Sequence, residues 1–281
     1  MSLKIIHTAD WHLGQTFFGY DREEEHDAFL NWLVDTLAEQ QTDVLLIAGD
    51  VFDVANPSAS AQRRFFHFLK EANRRNPHLQ VIVVAGNHDS AARLESPIPL
   101  LEELNTSIVG IIRRTESGEI DFDSLVIPLY NKEKKREGWC LAVPYLRQGD
   151  YPAPEEGHDT YIAGINRMYR QLYDFADARR QPGEALVAMG HLHATGAELS
   201  DDDRSERIIM GGLESVSSDT FDEGLAYTAL GHIHKAQRIG GRENLRYSGS
   251  PLPMSFSETN YRHQVVAVTV ENGCLSDVEP L

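Results

Sequence analysis

The stretch Asp43-Val44-Leu45-Leu46-Ile47-Ala48-Gly49-Asp50 decides the fold, because an apolar run of strand length stops at a glycine and a carboxylate. A short apolar run bounded by turn residues is typical of a strand that is buried on both faces. The stretch therefore predicts a buried strand that delivers Asp50 to one edge of a sheet.

Four further apolar runs end in the same way, over residues 4–7, 79–85, 185–189 and 226–230. Polar residues follow each run, and they are Asp10-Trp11-His12, Gly86-Asn87-His88-Asp89, Gly190-His191 and Gly231-His232-Ile233-His234. In open α/β sheets, ligands collect beyond the carboxyl ends of the strands. We therefore expect these polar segments to meet at one edge of the fold.

Helical patterns separate the first three of these strands. Residues 24–40 and 58–73 carry apolar side chains at helical spacing, namely Ala28, Phe29, Trp32, Leu33 and Leu37 in the first and Phe65, Phe66 and Leu69 in the second. Strands that alternate with helices favour a parallel sheet covered by helices. The first half of the chain is thus predicted to be α/β.

The second half predicts another sheet. We expect strands over residues 123–130 and 139–146, a charged turn over 131–138, and a helix over 161–178. Residues 264–270 and 274–278 should form a closing hairpin, because Asn-Gly is a preferred two-residue turn. Residues 204–218 are expected to form a loop or short strand over the site.

The five polar segments together supply carboxylate, imidazole and amide oxygen. This mixture suits two divalent metals, and it fits Mn, Fe or Zn better than Mg or Ca, whose sites are mostly all-oxygen. Asp-x-His or Gly-Asp alone is weak evidence, but all five segments in order indicate a metal site. The remaining histidines outside these segments lack this context and suit structural roles: His7, His26, His67, His78, His158 and His263.

These segments resemble the calcineurin-like metallophosphoesterase superfamily, and within it the SbcD-like nucleases of bacterial SbcCD DNA-repair complexes. The likeness runs from residue 4 to about residue 256 and is carried by HTADWHLGQ, AGDVFD, VVAGNHDS, GHLHATGA, ALGHIHKAQ and YSGSPLPMSF. The DWHLG and GSPLPMSF blocks are specific beyond the superfamily. The resemblance implies a four-layer α/β/β/α sandwich, two packed mixed sheets flanked by helices, over residues 1–281.

The resemblance also implies a ligand set. One metal would be held by Asp10, His12 and His234, the other by Asn87, His191 and His232, and Asp50 would bridge them. Manganese is the implied metal, although Fe and Zn also suit these ligands and Mg suits them less. A water activated between the two ions would attack the phosphodiester, so no Ser or Cys nucleophile is needed.

Two catalytic residues are implied beside the metals. His88 would donate a proton or hydrogen bond to the leaving oxygen, and Asp89 would orient it and raise its pKa. Asp89 could instead cap a helix near Ser90, or do both. His193 is expected near the site without a role. Asp53 stands where eukaryotic and archaeal relatives have a phosphate-positioning histidine, which supports a bacterial assignment.

The implied partners are DNA and an SbcC-type ATPase. The expected activity is a double-strand 3′–5′ exonuclease and single-strand endonuclease. Relatives continue into a capping domain and ATPase-binding helices, which we expect to be absent after Leu281. A homodimer is implied through helices over residues 58–73 and 91–104. Apolar residues nearly encircle the helix over 58–73, which suggests burial on two sides but also fits ordinary core packing; they are Phe65, Phe66, Phe68 and Leu69.

The net charge of −17 argues against simple DNA binding, because DNA-binding proteins normally carry a basic surface. Basic pairs or runs occur at residues 63–64, 113–114, 132–136 and 179–180, and their simplest interpretation is a solvated surface. We expect weak, salt-sensitive DNA binding by this chain alone. With two cysteines, no signal peptide and no apolar run of membrane length, the chain is expected to be cytoplasmic and away from membranes.

Three functions remain open. The first is a metal-dependent DNA nuclease. The second is a phosphodiesterase or phosphatase that acts on cyclic nucleotides or other small phosphoesters with the same metals. The third is a scaffold on a decayed phosphoesterase fold, which loss of ligands would mark. The DWHLG and GSPLPMSF context favours the nuclease, and the intact ligand set argues against the scaffold.

Overall fold

A computed structural model describes residues 2–152, 161–198 and 215–281 of the protein. Its strands form two six-stranded sheets that pack against each other, together with one small hairpin. Most of the loop or short strand predicted over residues 204–218 lies outside the described residues, as do the acidic residues 201–203.

The first sheet contains the strand that the opening sequence stretch predicts. Its order is β14-β13-β1-β4-β5-β6, with neighbours from β1 to β6 parallel and with β13 and β14 antiparallel. The strands are β1 Ser2–Thr8, β4 Val44–Ala48, β5 Gln80–Val84, β6 Thr106–Val109, β13 Val266–Glu271 and β14 Cys274–Pro280. The predicted Asn-Gly turn joins the last two strands, which confirms the closing hairpin.

The second sheet has the order β11-β12-β10-β9-β8-β7 and is mixed in the same way. Strands β8, β9, β10 and β12 are parallel neighbours, and β7 and β11 are antiparallel edges. The strands are β7 Val126–Tyr130, β8 Arg136–Ala142, β9 Ala185–His191, β10 Tyr227–Gly231, β11 Gln237–Arg238 and β12 Leu245–Tyr247. The small hairpin consists of β2 Thr16–Phe17 and β3 Tyr20–Asp21.

Helices cover the outer faces of both sheets. They are α1 Glu23–Glu39, α2 Ala59–Arg75, α3 Ala91–Glu95, α4 Ile98–Leu101 and α5 Tyr161–Asp177. Along β4, Leu45 and Ile47 pack with α1 and α2, whereas Leu46 and Ala48 pack in the core shared with the second sheet. Helix α5 lies against the second sheet, so the α/β/β/α layering is confirmed.

Trp11 anchors the loop that follows β1. Its indole is fully buried and meets the rings of Phe29, Phe65 and Phe68 edge to face, at centroid distances of 5.7, 6.3 and 5.1 Å. The indole nitrogen donates to the hydroxyl of Thr8 at 2.9 Å. The packing of the two covering helices therefore fixes the position of the site residues on either side of Trp11.

The structure corrects several predicted boundaries. The helix predicted over 91–104 is broken into α3, α4 and a 3-10 turn at Glu102–Leu104, because Pro97 and Pro99 cannot donate helical hydrogen bonds. Strand β8 begins three residues earlier than predicted, and residues 143–146 leave the sheet. Residues Phe122–Leu125 form a 3-10 turn before β7. Within the described ranges, the structure has no helix that meets the length and apolarity needed to cross a bilayer.

Candidate metal centre

The predicted ligands meet where the two sheets face each other. Asp50 follows β4, Asn87 follows β5, and His191 ends β9. Two hydrogen bonds tie the sheets together at this point: His191 Nδ1–H donates to the Ala48 carbonyl at 2.9 Å, and the His232 amide donates to the Asp10 carboxylate at 3.0 Å. Parallel strands in each sheet thus deliver their carboxyl ends to one shared edge.

Glycines permit this close approach. A Cβ on Gly49 would overlap the His191 ring, and a Cβ on Gly86 would overlap the Asp50 carboxylate. Gly49 also has a φ of +92°, which side-chain-bearing residues rarely adopt. Gly49 and Gly86 therefore do more than end a strand, because they let predicted ligands from neighbouring strands come into contact.

Several ligand residues lie in the left-handed region of backbone space. The φ values are 56° at Asp10, 45° at His12, 50° at Asp50 and 100° at His232. Residues other than glycine seldom adopt positive φ, and such conformations often cluster at functional sites. Each of these residues lies in a loop that follows a strand and carries the predicted ligands.

One group of predicted ligands is Asp10, His12 and His234, whose potential ligating atoms lie within 4.8 Å of one another. All three side chains are buried. Among the described residues, neither ring nitrogen of His12 makes a hydrogen bond. A buried imidazole without a hydrogen bond is costly unless another partner binds it, so this group fits a metal ion.

The second group is Asp50, His191 and His232, again within 4.8 Å. The side-chain oxygen of Asn87 lies 2.8 Å from His191 Nε2 and 3.0 Å from His232 Nδ1, so Asn87 belongs to this group. Asp50 Oδ2 lies 3.2 Å from His191 Nε2 and 3.8 Å from His12 Nε2. Asp50 therefore stands between the two groups, and the structure brings all seven predicted ligands together.

Two of the histidines are held in the tautomer that a metal requires. Because Nδ1–H of His191 donates to Ala48, Nε2 is the nitrogen that faces Asn87 and Asp50. His234 Nδ1 lies 3.0 Å from a carboxylate oxygen of Glu258, which likewise assigns Nδ1 as the donor. Outer partners of this kind commonly orient metal-ligating imidazoles.

The sequence did not predict Glu258, which contacts the predicted ligand His234. Glu258 is fully buried, and its other oxygen accepts a hydrogen bond from the Met254 amide at 2.8 Å. The only sequence signal is its position just after the GSPLPMSF block, where a glutamate near exposed residues looks like an ordinary surface carboxylate.

Burial and neighbouring charges shift the pKa values of the predicted ligands. Burial raises the pKa of Asp10. Burial also disfavours the Asp50 carboxylate, but the imidazoles of His191, His12 and His88 hold the pKa of Asp50 well below its usual range. Burial opposes protonation of His191, yet the Asp50 carboxylate raises the pKa of His191 to about 9. Because a protonated imidazole cannot bind a cation, metal binding must release this proton.

His88 lies at the rim of this centre. Its amide donates to Asp50 at 2.9 Å, and its Nδ1 lies 2.8 Å from the Asp53 carbonyl, which can only accept. The ring centroid is 4.8 Å from that of His12. The histidine predicted to act beside the metals is therefore positioned next to a predicted ligand of each ion.

Asp89 does not make the predicted contact with His88. Its carboxylate accepts hydrogen bonds from the amides of Val51 at 3.2 Å, Phe52 at 3.0 Å and Gly86 at 2.9 Å. It does not cap α3 either, since these amides belong to the loops after β4 and β5. Burial and the Asp50 charge raise the pKa of Asp89 to about 6. Asp89 instead joins the two loops that carry Asp50 and Asn87.

Asp53 and His193 lie beside the centre. Asp53 Oδ1 is 3.3 Å from His12 Nδ1, and Asp53, His12 and His88 form a third cluster of potential ligands. The His193 ring is 6.4 Å from the His232 ring, which places it near the site as expected.

Ion pairs neutralise part of each basic cluster noted in the sequence and both arginines at 179–180. Arg64 pairs with Glu23 and Asp27, Arg113 with Glu95, Lys135 with Glu137, Arg136 with Glu184, Arg179 with Asp123, and Arg180 with Asp177. This pairing agrees with a solvated surface at 179–180.

Comparisons with known proteins agree with this geometry. The family model of calcineurin-like phosphoesterases matches residues 3–236. The chain is 41% identical to the SbcD subunit of nuclease SbcCD from Rhodobacter capsulatus, over 99% of this chain and 69% of that protein. It is 37% identical to the Escherichia coli K12 protein of the same name, over 99% and 68%, and 33% identical to that of Bacillus subtilis, over 96% and 67%.

The family model matches well over half of the chain, and the identities to these nuclease subunits extend over nearly all of it. The matched region contains the predicted ligands Asp10 to His234 together with Gly49 and Gly86. The chain therefore belongs to the calcineurin-like phosphoesterases and, within them, to the family of SbcD nuclease subunits.

Proposed function

We propose that this chain is a metal-dependent DNA nuclease that hydrolyses phosphodiester bonds as the catalytic part of an SbcCD-type repair complex. The observation that carries the proposal is the position of Asp50 between two buried ligand groups at the shared strand edge. The match to SbcD nuclease subunits over nearly the whole chain supports DNA as the substrate.

The ligand roles follow from the two groups. Asp10, His12 and His234 would hold one divalent cation, and Asn87, His191 and His232 the other, with Asp50 shared. Two such cations would lower the pKa of water and neutralise the charge on the phosphate oxygens. The mixture of imidazole, carboxylate and amide favours manganese, iron or zinc over magnesium, and we propose manganese.

His88 would act on the leaving group. Its amide is held by Asp50 and its Nδ1–H by the Asp53 carbonyl, which fixes the ring plane beside the centre. In the imidazolium form, Nε2–H would donate to the oxygen that leaves the phosphate. Asp89 would contribute indirectly, because its three amide contacts set the spacing between the loops that carry Asp50 and Asn87. Asp53 is the described residue best placed to orient His88.

We propose DNA and an SbcC-type ATPase as partners, because the relatives are named as subunits of a nuclease complex. The 3′–5′ exonuclease activity, the single-strand endonuclease activity and the cytoplasmic location are parts of the same proposal. So is the assignment of residues 1–281 to one phosphoesterase domain.

A homodimer through residues 58–73 and 91–104 also remains a proposal. Phe65, Phe68 and Leu69 are buried in the chain's own core, so they would not form the dimer contact. Leu100 is 76% exposed and Phe66 is only partly buried, so these two residues offer apolar surface for a second copy. Sedimentation of the wild-type chain and a Leu100→Glu variant measures this contact.

The nuclease proposal is tested with an end-labelled linear duplex at low salt, with and without manganese. The wild-type chain should cut the DNA only with manganese, and Asp50→Asn should abolish cutting while leaving the fold intact. Rapid hydrolysis of bis(p-nitrophenyl) phosphate without any DNA cleavage would contradict the proposal and identify a small-molecule phosphodiesterase. Metal analysis of both proteins identifies the bound ion.

A further inference from the structure

Exposed aromatic rings form a patch beside the metal centre, and we call Phe17, Phe18, Tyr20 and Phe256 the aromatic patch. Phe18, Tyr20 and Phe256 are 71%, 78% and 64% exposed. The ring centroids of Phe17 and Phe18 lie 5.0 and 4.8 Å from that of Phe256. Scattered surface aromatics are common, but a contiguous exposed cluster indicates a binding surface.

The patch is continuous with the metal ligands along both of its segments. Phe256 begins the 3-10 turn Phe256–Glu258, and Glu258 holds the His234 imidazole at 3.0 Å. Phe17 lies five residues after His12, in the hairpin that follows the first ligand loop. A strand whose phosphate lay in the centre would therefore have its neighbouring nucleotides close to these rings.

The conformation of Phe18 is not explained by folding. Phe18 and Gly19 connect β2 to β3 with φ values of 50° and 83°, the positive pair of a type I′ turn. Asn-Gly is preferred in such turns, and a large side chain at positive φ is unfavourable. Because Phe18 is also mostly exposed, core packing does not compensate for this cost. Bulky residues kept in such a conformation point to a function.

A buried arginine, Arg22, contacts the aromatic patch. The Arg22 guanidinium lies 5.3 Å from the centroid of the Phe17 ring. It also donates to the Gln15 side chain at 2.8 Å and to the Pro253 carbonyl at 2.6 Å. Arg22 thus joins the hairpin segment to the segment that carries Phe256. These contacts fix the positions of the two segments relative to each other.

We propose that the aromatic patch is a stacking platform for unpaired bases of a DNA strand whose phosphate lies at the metal centre. This inference rests on the proposed nuclease function. Bases stack on aromatic side chains with little regard to sequence, which suits a nuclease. Stacking also needs no positive charge, which suits a chain with a net charge of −17.

The decisive variant is Phe18→Asn, because asparagine suits the turn and removes the ring. Its matched control is Tyr130→Ser, which removes an aromatic side chain that is 41% exposed. Tyr130 lies far from the ligands, since its amide contacts Gln80 at the start of β5, whereas the ligands follow the ends of the strands. Thermal melting of both variants verifies that they fold.

The measurement is kcat/KM of the manganese-loaded chain on a single-stranded oligonucleotide and on an equal strand with abasic terminal residues. Phe18→Asn should lower kcat/KM for the intact strand about tenfold. It should leave cleavage of the abasic strand and of bis(p-nitrophenyl) phosphate unchanged. The ratio of kcat/KM between the variant and the wild type should not change with salt concentration, because the variant loses no contact to a phosphate. Tyr130→Ser should match the wild type on all three substrates.

Other outcomes would contradict the proposal that the aromatic patch binds unpaired bases. Unchanged cleavage of the intact strand by Phe18→Asn would do so, as would an equal loss on intact and abasic strands. A change from dimer to monomer in Phe18→Asn would show that a second copy covers the patch instead. If the wild type hydrolyses bis(p-nitrophenyl) phosphate but cuts neither strand, the proposed function itself fails, which is distinguishable from a failure of the platform alone.

Discussion

Glu258 accepts a hydrogen bond from Nδ1 of His234 at 3.0 Å while its other carboxylate oxygen accepts one from the Met254 amide at 2.8 Å. This fully buried carboxylate therefore connects a candidate metal ligand to the segment that carries the exposed ring of Phe256. The contact gives the ligand its orientation, and it also fixes how the aromatic patch lies relative to the metal centre.

Removing this contact should weaken metal binding. We expect Glu258→Ala to lower the affinity for manganese by about 10–100-fold, because the His234 ring loses both its orientation and a partner that raises its basicity. Glu258→Gln should lose less of the affinity for manganese, since its amide oxygen can still accept a hydrogen bond from Nδ1–H of His234. Titration of the metal-free chain, followed by calorimetry, measures both affinities.

The control for this prediction is Glu184→Gln. Glu184 is also mostly buried and paired, with Arg136 at 2.7 Å and Trp139 at 3.2 Å, but it lies at the start of β9, away from the ligands. Its replacement should affect stability and leave the affinity for manganese unchanged. Equal affinities in wild type and Glu258→Ala would show that His234 is not a ligand or needs no orientation.

Gly49→Ala should lower stability and metal binding by more than the backbone strain at this position alone would cause. A Cβ here overlaps the His191 ring, in addition to the strain of a φ of +92°. The matched control is Gly118→Ala, since Gly118 has a φ of +86° and open space around its Cβ position. The control should lose about 1–3 kcal/mol of unfolding free energy from strain. Gly49→Ala should lose more, together with metal binding, in denaturant titrations and metal analysis.

Acid should destabilise the metal-free protein partly through His7. Burial lowers the pKa of His7 from 6.5 to about 3, while Tyr227 and the Leu230 carbonyl hold the neutral ring at 3.0 and 3.2 Å. The unfolded chain binds this proton below pH 6.5, but the folded chain does not. The contribution of His7 to stability is therefore complete above pH 6.5 and is lost as the pH falls from 6.5 through about 3.

Denaturant titrations in EDTA across this pH range measure that contribution. His7→Gln should lower the unfolding free energy at neutral pH. As the pH falls, the unfolding free energy of the variant should decrease less steeply than that of the wild type, and the two slopes should differ by about 1.4 kcal/mol per pH unit. Replacement of the exposed His67 by glutamine serves as the control and should leave the slope unchanged. An identical slope in His7→Gln and wild type would contradict this account of His7.

The strands and the order of the ligands could be predicted because both leave strong local signals. An apolar run such as residues 44–48 ends at Gly49-Asp50, and the parallel topology then places every such end at one edge. The Asn-Gly hairpin was predictable for the same reason, since its turn chemistry is local. The implied ligand set depended on the family resemblance, and the structure brings those side chains together.

Contacts between distant segments could not be predicted in this way. Asp89 was expected to orient the adjacent His88, but its oxygens are taken by amides of residues 51, 52 and 86, a pairing set by how two loops pack. Glu258 was missed because its burial depends on the fold of the segment after Met254. The helix over 91–104 was implied by the family resemblance, and Pro97 and Pro99 of this chain break it.

We propose that Asp50 belongs to both metal groups whereas His88 acts on the substrate. The most direct test measures bound manganese and duplex cleavage together in wild type, Asp50→Asn and His88→Gln. We expect Asp50→Asn to lose both ions and all cleavage, and His88→Gln to retain two ions per chain while cleaving about 10²–10⁴-fold more slowly. Loss of metal in His88→Gln, or full metal content with activity in Asp50→Asn, would contradict this assignment.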